Sequence, residues 1–244
     1  MSKKNVKTRS ESVLLLNENT PFAIKESFNQ LRTNLMYMPH DGEGCPIYAI
    51  TSATEGVGKS TVSSNLAVAY AQIGKKVLLI DADMRLPVQG EIFGYDKNSF
   101  GLSELLSDIV KNYKEVIIEP MPYLSVLPSG CLPPNPSELI TSTRLYDFMD
   151  KWKREYDIIF IDLPPAGVVS DPIAISSFVS GYILIAMTNK SDANQVNSVA
   201  ARITQVGAKV VGLVLNKTNL KGRAKKYSYQ HKYYYGYGAN RYEK

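Results

Sequence analysis

The chain has 244 residues, of which 44% are hydrophobic and 21% charged, and a formal net charge of +5. This length and apolar fraction predict one large α/β domain with short appendages and exclude a chain too polar to bury a core. No run of eighteen apolar residues occurs, and the two cysteines, Cys45 and Cys131, lack the spacing of metal ligands. We therefore expect a cytosolic protein without a transmembrane helix.

The positive charge is concentrated in the last residues of the chain. Residues 221–244 contain seven Lys and Arg and one acidic residue, whereas the remainder contains 21 basic and 22 acidic residues. The remainder is nearly neutral, which argues against a broad nucleic-acid-binding face there. We predict a flexible leader over residues 1–18, a folded domain over residues 19–220 and a disordered basic tail over residues 221–244.

The first predicted element is a helix that begins near Pro21 and ends near Met38. Proline suits the first helical turn, and the apolar residues Phe28, Leu31 and Leu35 recur at spacings of three and four. This pattern predicts an amphipathic helix with one face on the core.

A predicted strand at residues 46–50 leads into the run SATEGVGKST at residues 52–61, and a helical pattern follows. Strand, glycine-bearing loop and helix in this order are the context of a P-loop, whose backbone N–H groups converge on phosphate oxygens. Lys59 is expected to reach the phosphates, and Ser60 to bind Mg²⁺. The general pattern asks for glycine where this chain has Ala53. The predicted phosphate-binding residues are Glu55, Gly56, Val57, Gly58, Lys59, Ser60 and Thr61.

The remaining elements alternate between short apolar strands and helices. Strands are predicted at residues 76–81, 123–127, 157–162, 182–187 and 209–215, and helices at residues 102–109, 141–154, 171–179 and 192–206. This alternation is typical of βαβ units and predicts an α/β fold with a mostly parallel central sheet flanked by helices. Ligands of such sheets bind at the carboxyl ends of the strands.

Aspartates stand at the ends of two predicted strands. Asp81 closes the strand VLLID and Asp162 closes the strand IIFID. Aspartate at a strand end is often only a turn former, but beside a P-loop it is placed to hold Mg²⁺ directly or through water. We predict Asp81 and Asp162 as metal ligands, and Asp83 as a group that can accept a proton from an attacking hydroxyl.

The run LNKTN follows the last predicted strand. GTP-binding proteins place Asp in the fourth position of an N-K-x-D run, and here that position is Asn219. An amide cannot supply the same paired acceptors, so adenine is favoured over guanine, with Asn216 as a base contact. A plain loop is the other interpretation of this segment.

The tail combines basic residues with tyrosines and lacks Leu, Ile, Val and Phe after residue 226. Three functions compete for it: phosphate acceptance by the tyrosines, binding of single-stranded nucleic acid by charge and stacking, and a sticky surface without specific chemistry. The candidate phosphoacceptors are Tyr227, Tyr229, Tyr233, Tyr234, Tyr235, Tyr237 and Tyr242.

Four features together resemble the bacterial tyrosine kinase family: the P-loop SATEGVGKST, the motif LLIDADMR, the motif IFIDLPP and the terminal tyrosine cluster. The resemblance covers nearly the entire chain and points to the free-standing cytoplasmic form from capsule and exopolysaccharide pathways. It implies a P-loop ATPase fold related to MinD and ParA, ATP and Mg²⁺ as cofactors, and phosphorylation of tyrosines in a neighbouring subunit's tail. It also implies catalytic roles for Lys59, Asp83 and Arg85, the last by stabilising charge.

The resemblance implies partners and a location as well. Family members form homo-oligomers in which an E-x-x-R-x-x-R helix helps to close a ring, and a membrane adaptor activates them at the inner face of the cell membrane. A cognate tyrosine phosphatase and polysaccharide-biosynthesis enzymes are the other expected partners, and no nucleic acid is expected. Glu26 and Arg32 match the helix, whereas Asn29 replaces its middle Arg and predicts weaker ring assembly, because an amide cannot form a bidentate ion pair.

The alternative is a nucleotide-switched ATPase of the MinD/ParA kind that binds a partner or nucleic acid. Those proteins carry a signature lysine in a K-G-G-x-G-K pattern, and this chain has Thr54 and Glu55 at the corresponding positions. The tail also lacks the apolar face of an amphipathic membrane helix. Both features favour the kinase, and formation of phosphotyrosine would separate the two hypotheses.

Overall fold

The computed structural model describes residues 15–38, 44–96 and 99–218. The helices are α1 (Phe22–Met36), α2 (Lys59–Ala71), α3 (Gln89–Ile92), α4 (Leu102–Leu106), α5 (Pro136–Ile140), α6 (Thr143–Glu155), α7 (Asp171–Ala174) and α8 (Ala193–Gln205). The strands are β1 (Ile47–Ser52), β2 (Val77–Asp81), β3 (Ile118–Met121), β4 (Leu124–Leu127), β5 (Ile158–Asp162), β6 (Gly181–Met187) and β7 (Val210–Asn216).

The seven strands form one sheet in the order β3-β4-β2-β5-β1-β6-β7. Only β3, at one edge, runs antiparallel to its neighbour. Every position of β1, β2 and β5 is buried, as expected for a parallel sheet that is covered on both faces. The sheet separates two hydrophobic clusters, one shared with α1 and α2 and the other with α4, α5, α6 and α8. The predicted α/β fold with a mostly parallel sheet is confirmed.

Several predicted element boundaries were wrong for local reasons. The helix predicted at residues 141–154 is observed as α6, which begins only after Ser142, because Ser142 has an extended backbone that separates α6 from the preceding α5. The helix predicted at residues 102–109 stops at Leu106, and Asp108 has a positive φ of 65°. The helix predicted at residues 171–179 is only one turn long. Strand β3 was missed because it contains Pro120, which a sheet tolerates at its edge.

Within the predicted leader, the Leu16 side chain is buried in the α1/α2 cluster and its N–H donates to Asn65 Oδ1 at 2.7 Å. The boundaries of the leader, the domain and the tail stay predictions. Residues 1–14, Asn219 and all seven tail tyrosines lie outside the described residues. Among the residues that the structure describes, no helix is long and apolar enough to cross a membrane.

Candidate active site

The carboxyl ends of three neighbouring strands bring the predicted site together. Asp81 at the end of β2 is paired in register with Asp162 at the end of β5, and Asp162 is paired with Ile50 in β1. The P-loop begins where β1 ends, at Ser52. Features that are 20 to 110 residues apart in the sequence therefore meet at one edge of the sheet, as ligand sites in parallel sheets do.

The backbone of the P-loop has the geometry that its glycines predict. Gly56 and Gly58 have φ angles of 67° and 93°, which residues with a side chain adopt only with strain. Ala53, which departs from the general pattern, is not among the residues with positive φ, so its methyl group causes no backbone strain. The P-loop also starts against a second loop, since a Cβ on Gly167 would lie 2.1 Å from the Ala53 carbonyl oxygen.

Two side chains from the ends of β6 and β7 hold the P-loop from outside. Lys190 Nζ donates to the carbonyl oxygens of Glu55 and Gly56 at 3.3 Å each. Asn216 Nδ2 donates to the Val57 carbonyl oxygen at 2.9 Å. The C=O group and the following N–H group point in opposite directions across a trans peptide. These contacts therefore turn the N–H groups of residues 56–58 away from Lys190 and Asn216. We call Lys190 and Asn216 the outer clamp.

The outer clamp gives a second reason for the two glycines and a new role for Asn216. A Cβ at Gly56 would lie 2.9 Å from Lys190 Nζ, and one at Gly58 would lie 2.1 Å from Asn216 Nδ2. The Oδ1 atom of Asn216 accepts from the N–H of Lys217. Both polar atoms of the Asn216 side chain are thus used within the protein, where the sequence had predicted a contact to the base.

The two strand-end carboxylates are buried and differ in what surrounds them. Asp81 accepts three backbone N–H groups, from Asp83 at one oxygen and from Val88 and Gln89 at the other. Asp162 Oδ2 accepts from Gln89 Nε2, and the Ser60 hydroxyl lies near enough to lower the pKa of Asp162, but its Oδ1 is buried without a hydrogen-bond partner among the described residues. A buried acceptor without a hydrogen bond destabilises the fold by about 1–3 kcal/mol. Oδ1 is therefore a candidate atom for ligand binding.

Electrostatics support a cation at this position. Burial raises the pKa of Asp162 to about 6, against the opposing effects of the Lys59 charge and of hydrogen bonds from Ser60 and Gln89. Burial and the charge of Asp162 raise the pKa of Asp81 well above its ordinary value. Two adjacent buried carboxylates disfavour each other's ionised form, and a divalent cation between the site's oxygens would relieve that repulsion.

The donor set fits Mg²⁺ bound together with a nucleotide. Within residues 15–38, 44–96 and 99–218 no cluster of three or more His, Cys, Asp and Glu side chains could hold a metal by itself. Mg²⁺ seldom requires such a cluster, because it binds through one or two carboxylates together with phosphate oxygens and water. The unpaired Oδ1 of Asp162 beside the Ser60 hydroxyl meets this requirement.

Gln89, like Lys190, is a site residue that the sequence did not reveal. Its side chain is fully buried and donates from Nε2 to Asp162 Oδ2 at 2.7 Å, to Ser63 Oγ at 2.8 Å and to the Ser60 carbonyl oxygen at 3.2 Å. Its Oε1 lies 2.7 Å from Ser64 Oγ, whose one hydrogen is shared between Oε1 and the Ser60 carbonyl oxygen. Glutamine is usually exposed, so its type gave no signal; only its position eight residues after Asp81 could have drawn attention.

Asp83 and Arg85 follow β2 but are engaged within the protein. Asp83 Oδ1 accepts from the N–H of Leu86 at 3.1 Å. Arg85 Nε lies 3.0 Å from Asp171 Oδ2, and its second nitrogen donates to Ser137 Oγ at 3.1 Å. This ion pair connects the segment after β2 with α5 and α7, which the sequence had not predicted. The catalytic roles of Asp83 and Arg85 stay predictions.

The two residues predicted at an oligomer interface lie on α1 with different surroundings. Arg32 Nη1 donates to the Ala69 carbonyl oxygen in the last turn of α2 at 2.8 Å, so its guanidinium is partly used within the chain. Glu26 is half-buried on the same helix. The interface role of both residues stays a prediction.

The comparisons with known proteins agree with this geometry. The family model described as "AAA domain" matches residues 46–216, which span β1 to β7. The tyrosine-protein kinase CpsD of Streptococcus agalactiae is 38% identical over 196 residues, covering 80% of this chain and 84% of that protein. The tyrosine-protein kinase YwqD of Bacillus subtilis is 33% identical over 195 residues, covering 80% of this chain and 81% of that protein.

Solved structures extend the comparison to three dimensions. The crystal structure of the chimerical protein CapA2B2 superposes with a TM-score of 0.77 at 39% identity, covering 82% of this chain and 88% of that chain. MinD of Pyrococcus horikoshii, solved with Mg-ADP, has a TM-score of 0.61 at 23% identity over 73% of each chain, which shows a shared fold.

The fold and the site thus define the class of α/β nucleotide-binding P-loop domains, whose fold MinD shares. Within that class, the chain belongs to the bacterial tyrosine-protein kinase family. The kinase assignment made from the sequence motifs is confirmed.

Proposed function

We propose that this protein is an ATP- and Mg²⁺-dependent kinase that phosphorylates the tyrosines of its own tail, from one subunit to another. The observation that carries this proposal is the unpaired, buried Oδ1 of Asp162 beside Ser60, at the start of a P-loop helix. A polar atom left unsatisfied in a protein interior is costly, and a nucleotide-bound cation is the ligand that this donor set suits.

The phosphate groups would be held by the P-loop. The N–H groups from Gly56 to Thr61 and the Lys59 ammonium supply positive charge where phosphoryl transfer develops negative charge. The bound Mg²⁺ would be held by Ser60, Asp162 and, through water, Asp81, and would neutralise charge on the β- and γ-phosphates. The three backbone donors to Asp81 favour the indirect role for that carboxylate.

The transfer step requires a base and an in-line acceptor. The phenolic oxygen of a tail tyrosine bonds to the γ-phosphorus while the bond from that phosphorus to the β–γ bridging oxygen breaks, and ADP leaves with the electron pair. Asp83 is the group proposed to receive the phenolic proton, being two residues beyond Asp81 and almost fully buried. Arg85 would stabilise charge after a local change, because its guanidinium now pairs with Asp171.

The cellular role rests on the relatives. Their names mark tyrosine-protein kinases, and the family resemblance implies a membrane adaptor, so we propose that this kinase acts with one. Homo-oligomers, a tyrosine phosphatase and polysaccharide-biosynthesis enzymes complete the proposed context, with regulation of capsule or exopolysaccharide synthesis as the outcome. Recruitment by the adaptor would place the kinase at the inner face of the membrane.

The fold shared with MinD favours a second candidate, a nucleotide-switched ATPase without kinase activity. One experiment separates the two. The purified protein is incubated with ATP, Mg²⁺ and a candidate adaptor segment, and the phosphates are mapped by mass spectrometry. The kinase predicts phosphotyrosine between residues 227 and 242, and Lys59→Met should lower its rate by about 10²–10³-fold. ATP hydrolysis without phosphotyrosine would support the switch instead.

A further inference from the structure

We infer that Gln89 is a positioning residue for the metal-binding carboxylate, and that it sets how strongly Mg²⁺ couples to the nucleotide. The inference deepens the proposed function and rests on the Mg²⁺–nucleotide site proposed there. It begins with an unusual placement: Gln89 has no exposed surface, although glutamine side chains are seldom fully buried.

Gln89 connects both strand-end carboxylates. Its backbone N–H donates to Asp81 Oδ2 at 2.8 Å, and its side-chain Nε2 donates to Asp162 Oδ2 at 2.7 Å. An ionised carboxylate only accepts hydrogen bonds, so the end of the amide that faces Asp162 must be the NH₂ group. The identity of the residue therefore suits the position, because a carboxylate there would add a third negative charge and an aliphatic residue would offer no donor.

The contact fixes which oxygen of Asp162 is available. Gln89 occupies Oδ2, whereas Oδ1 is buried without a partner among the residues described. A rotation of the Asp162 carboxylate that exchanged Oδ1 and Oδ2 would first have to break the short contact from Gln89. The amide thus holds Asp162 in one orientation, which is what hydrogen-bonding neighbours of metal ligands commonly do.

The amide is itself held at its opposite end. Ser64 Oγ, on α2, lies 2.7 Å from Gln89 Oε1 and shares its hydrogen between Oε1 and the Ser60 carbonyl oxygen. Nε2 has three acceptors for its two hydrogens, namely Asp162 Oδ2, Ser63 Oγ and the Ser60 carbonyl oxygen. Loss of Ser63 Oγ would leave both hydrogens with acceptors, whereas loss of the Ser64 hydroxyl would remove the contact that anchors Oε1. The chain therefore provides a matched pair of serine variants.

The test measures nucleotide binding and needs no phosphotransfer. The affinity of the full chain for the fluorescent nucleotide N-methylanthraniloyl-ADP is measured in EDTA and in Mg²⁺. The dissociation constant in EDTA divided by the dissociation constant in Mg²⁺ reports the coupling to the metal. Gln89→Met should lower this ratio by about tenfold or more and leave the affinity in EDTA unchanged. Asp162→Asn defines the ratio expected when the metal ligand itself is lost.

The serine variants keep the inference testable if Gln89→Met fails to fold. Ser64→Ala should lower the ratio partially, and Ser63→Ala should leave it at the wild-type value. An unchanged ratio in both Gln89→Met and Ser64→Ala, or equal weakening in EDTA and in Mg²⁺, would overturn the inference and make Gln89 a structural link only. Because no tyrosine is phosphorylated in this assay, its result is independent of whether the tail is the acceptor.

Discussion

At the scale of single residues, the site contains two buried carboxylates whose negative charge disfavours folding but suits metal binding. Asp162 is fully buried next to Asp81, and one of its oxygens has no hydrogen-bond partner among the described residues. Neither feature stabilises the protein in the absence of a cation. Such a carboxylate is expected at a site where stability is exchanged for binding.

This balance predicts a stabilising but inactivating substitution. Asp162→Asn keeps the shape and an acceptor for Gln89, and removes the buried charge. We expect it to raise the free energy of unfolding of the metal-free protein by about 1–3 kcal/mol at neutral pH and to abolish Mg²⁺-dependent activity. Chemical denaturation in EDTA measures the first effect, and a variant less stable than wild type would contradict the account.

The same substitution has a predicted pH dependence. The pKa of Asp162 is raised from 3.8 to about 6 in the folded protein, so the folded state binds more protons than the unfolded state between these values. Wild-type stability is therefore lost as the pH rises through this window. The gain in free energy of unfolding from Asp162→Asn should be small near pH 4 and should reach its full value near pH 7. A constant difference across the window would show that the buried charge is not its cause.

The outer clamp gives a second residue-scale prediction, which differs from that for Gln89. Lys190→Met removes the donor to two P-loop carbonyl oxygens, so the affinity for N-methylanthraniloyl-ADP should fall about fivefold, or about 1 kcal/mol, in EDTA and in Mg²⁺ alike. Lys190→Arg should restore most of it. A loss confined to Mg²⁺ would indicate that Lys190 acts through the metal rather than the P-loop.

At the scale of elements, α1 is attached to its own chain by Arg32 and carries the two residues predicted at an oligomer interface. Arg32 donates to the last turn of α2, where a cation also interacts favourably with the helix dipole. Arg32→Ala should therefore lower the free energy of unfolding by about 1 kcal/mol. Glu26→Ala should leave the melting temperature unchanged and shift the protein toward monomer in light scattering. An unchanged mass for the Glu26 variant would remove α1 from the interface.

Elements and site residues were predictable from the sequence where a local pattern carries the information. Gly56 and Gly58 indicate a backbone with positive φ, and apolar runs that end in Asp81 and Asp162 predict strands whose ends meet. Gln89 carries no such pattern, because its burial follows from the packing of α3 against α2. The Arg85–Asp171 ion pair likewise joins residues 86 positions apart that no spacing relates. The lengths of the short helices were predicted wrongly because single turns depend on tertiary contacts more than on helix propensity.

At the scale of the whole molecule, we propose that a folded kinase domain acts on the tyrosine-rich tail of another subunit. Oligomerisation would raise the local concentration of the tail at the site. Each phosphate adds roughly −1.5 to −2 charges, so about four would cancel or reverse the tail's surplus of positive charge. We expect phosphorylation to weaken docking of the tail at the acidic site and to loosen the oligomer.

The most direct measurement is phosphate incorporation by a variant in which all seven tail tyrosines are replaced by Phe, with ATP, Mg²⁺ and the adaptor segment present. We expect this variant to incorporate little phosphate into itself and still to phosphorylate an added peptide of residues 221–244. Lys59→Met, as a matched control, should phosphorylate neither. Normal incorporation by the seven-Phe variant would show that the tail is not the acceptor, and absence of phosphotyrosine in the wild type would contradict the kinase mechanism itself.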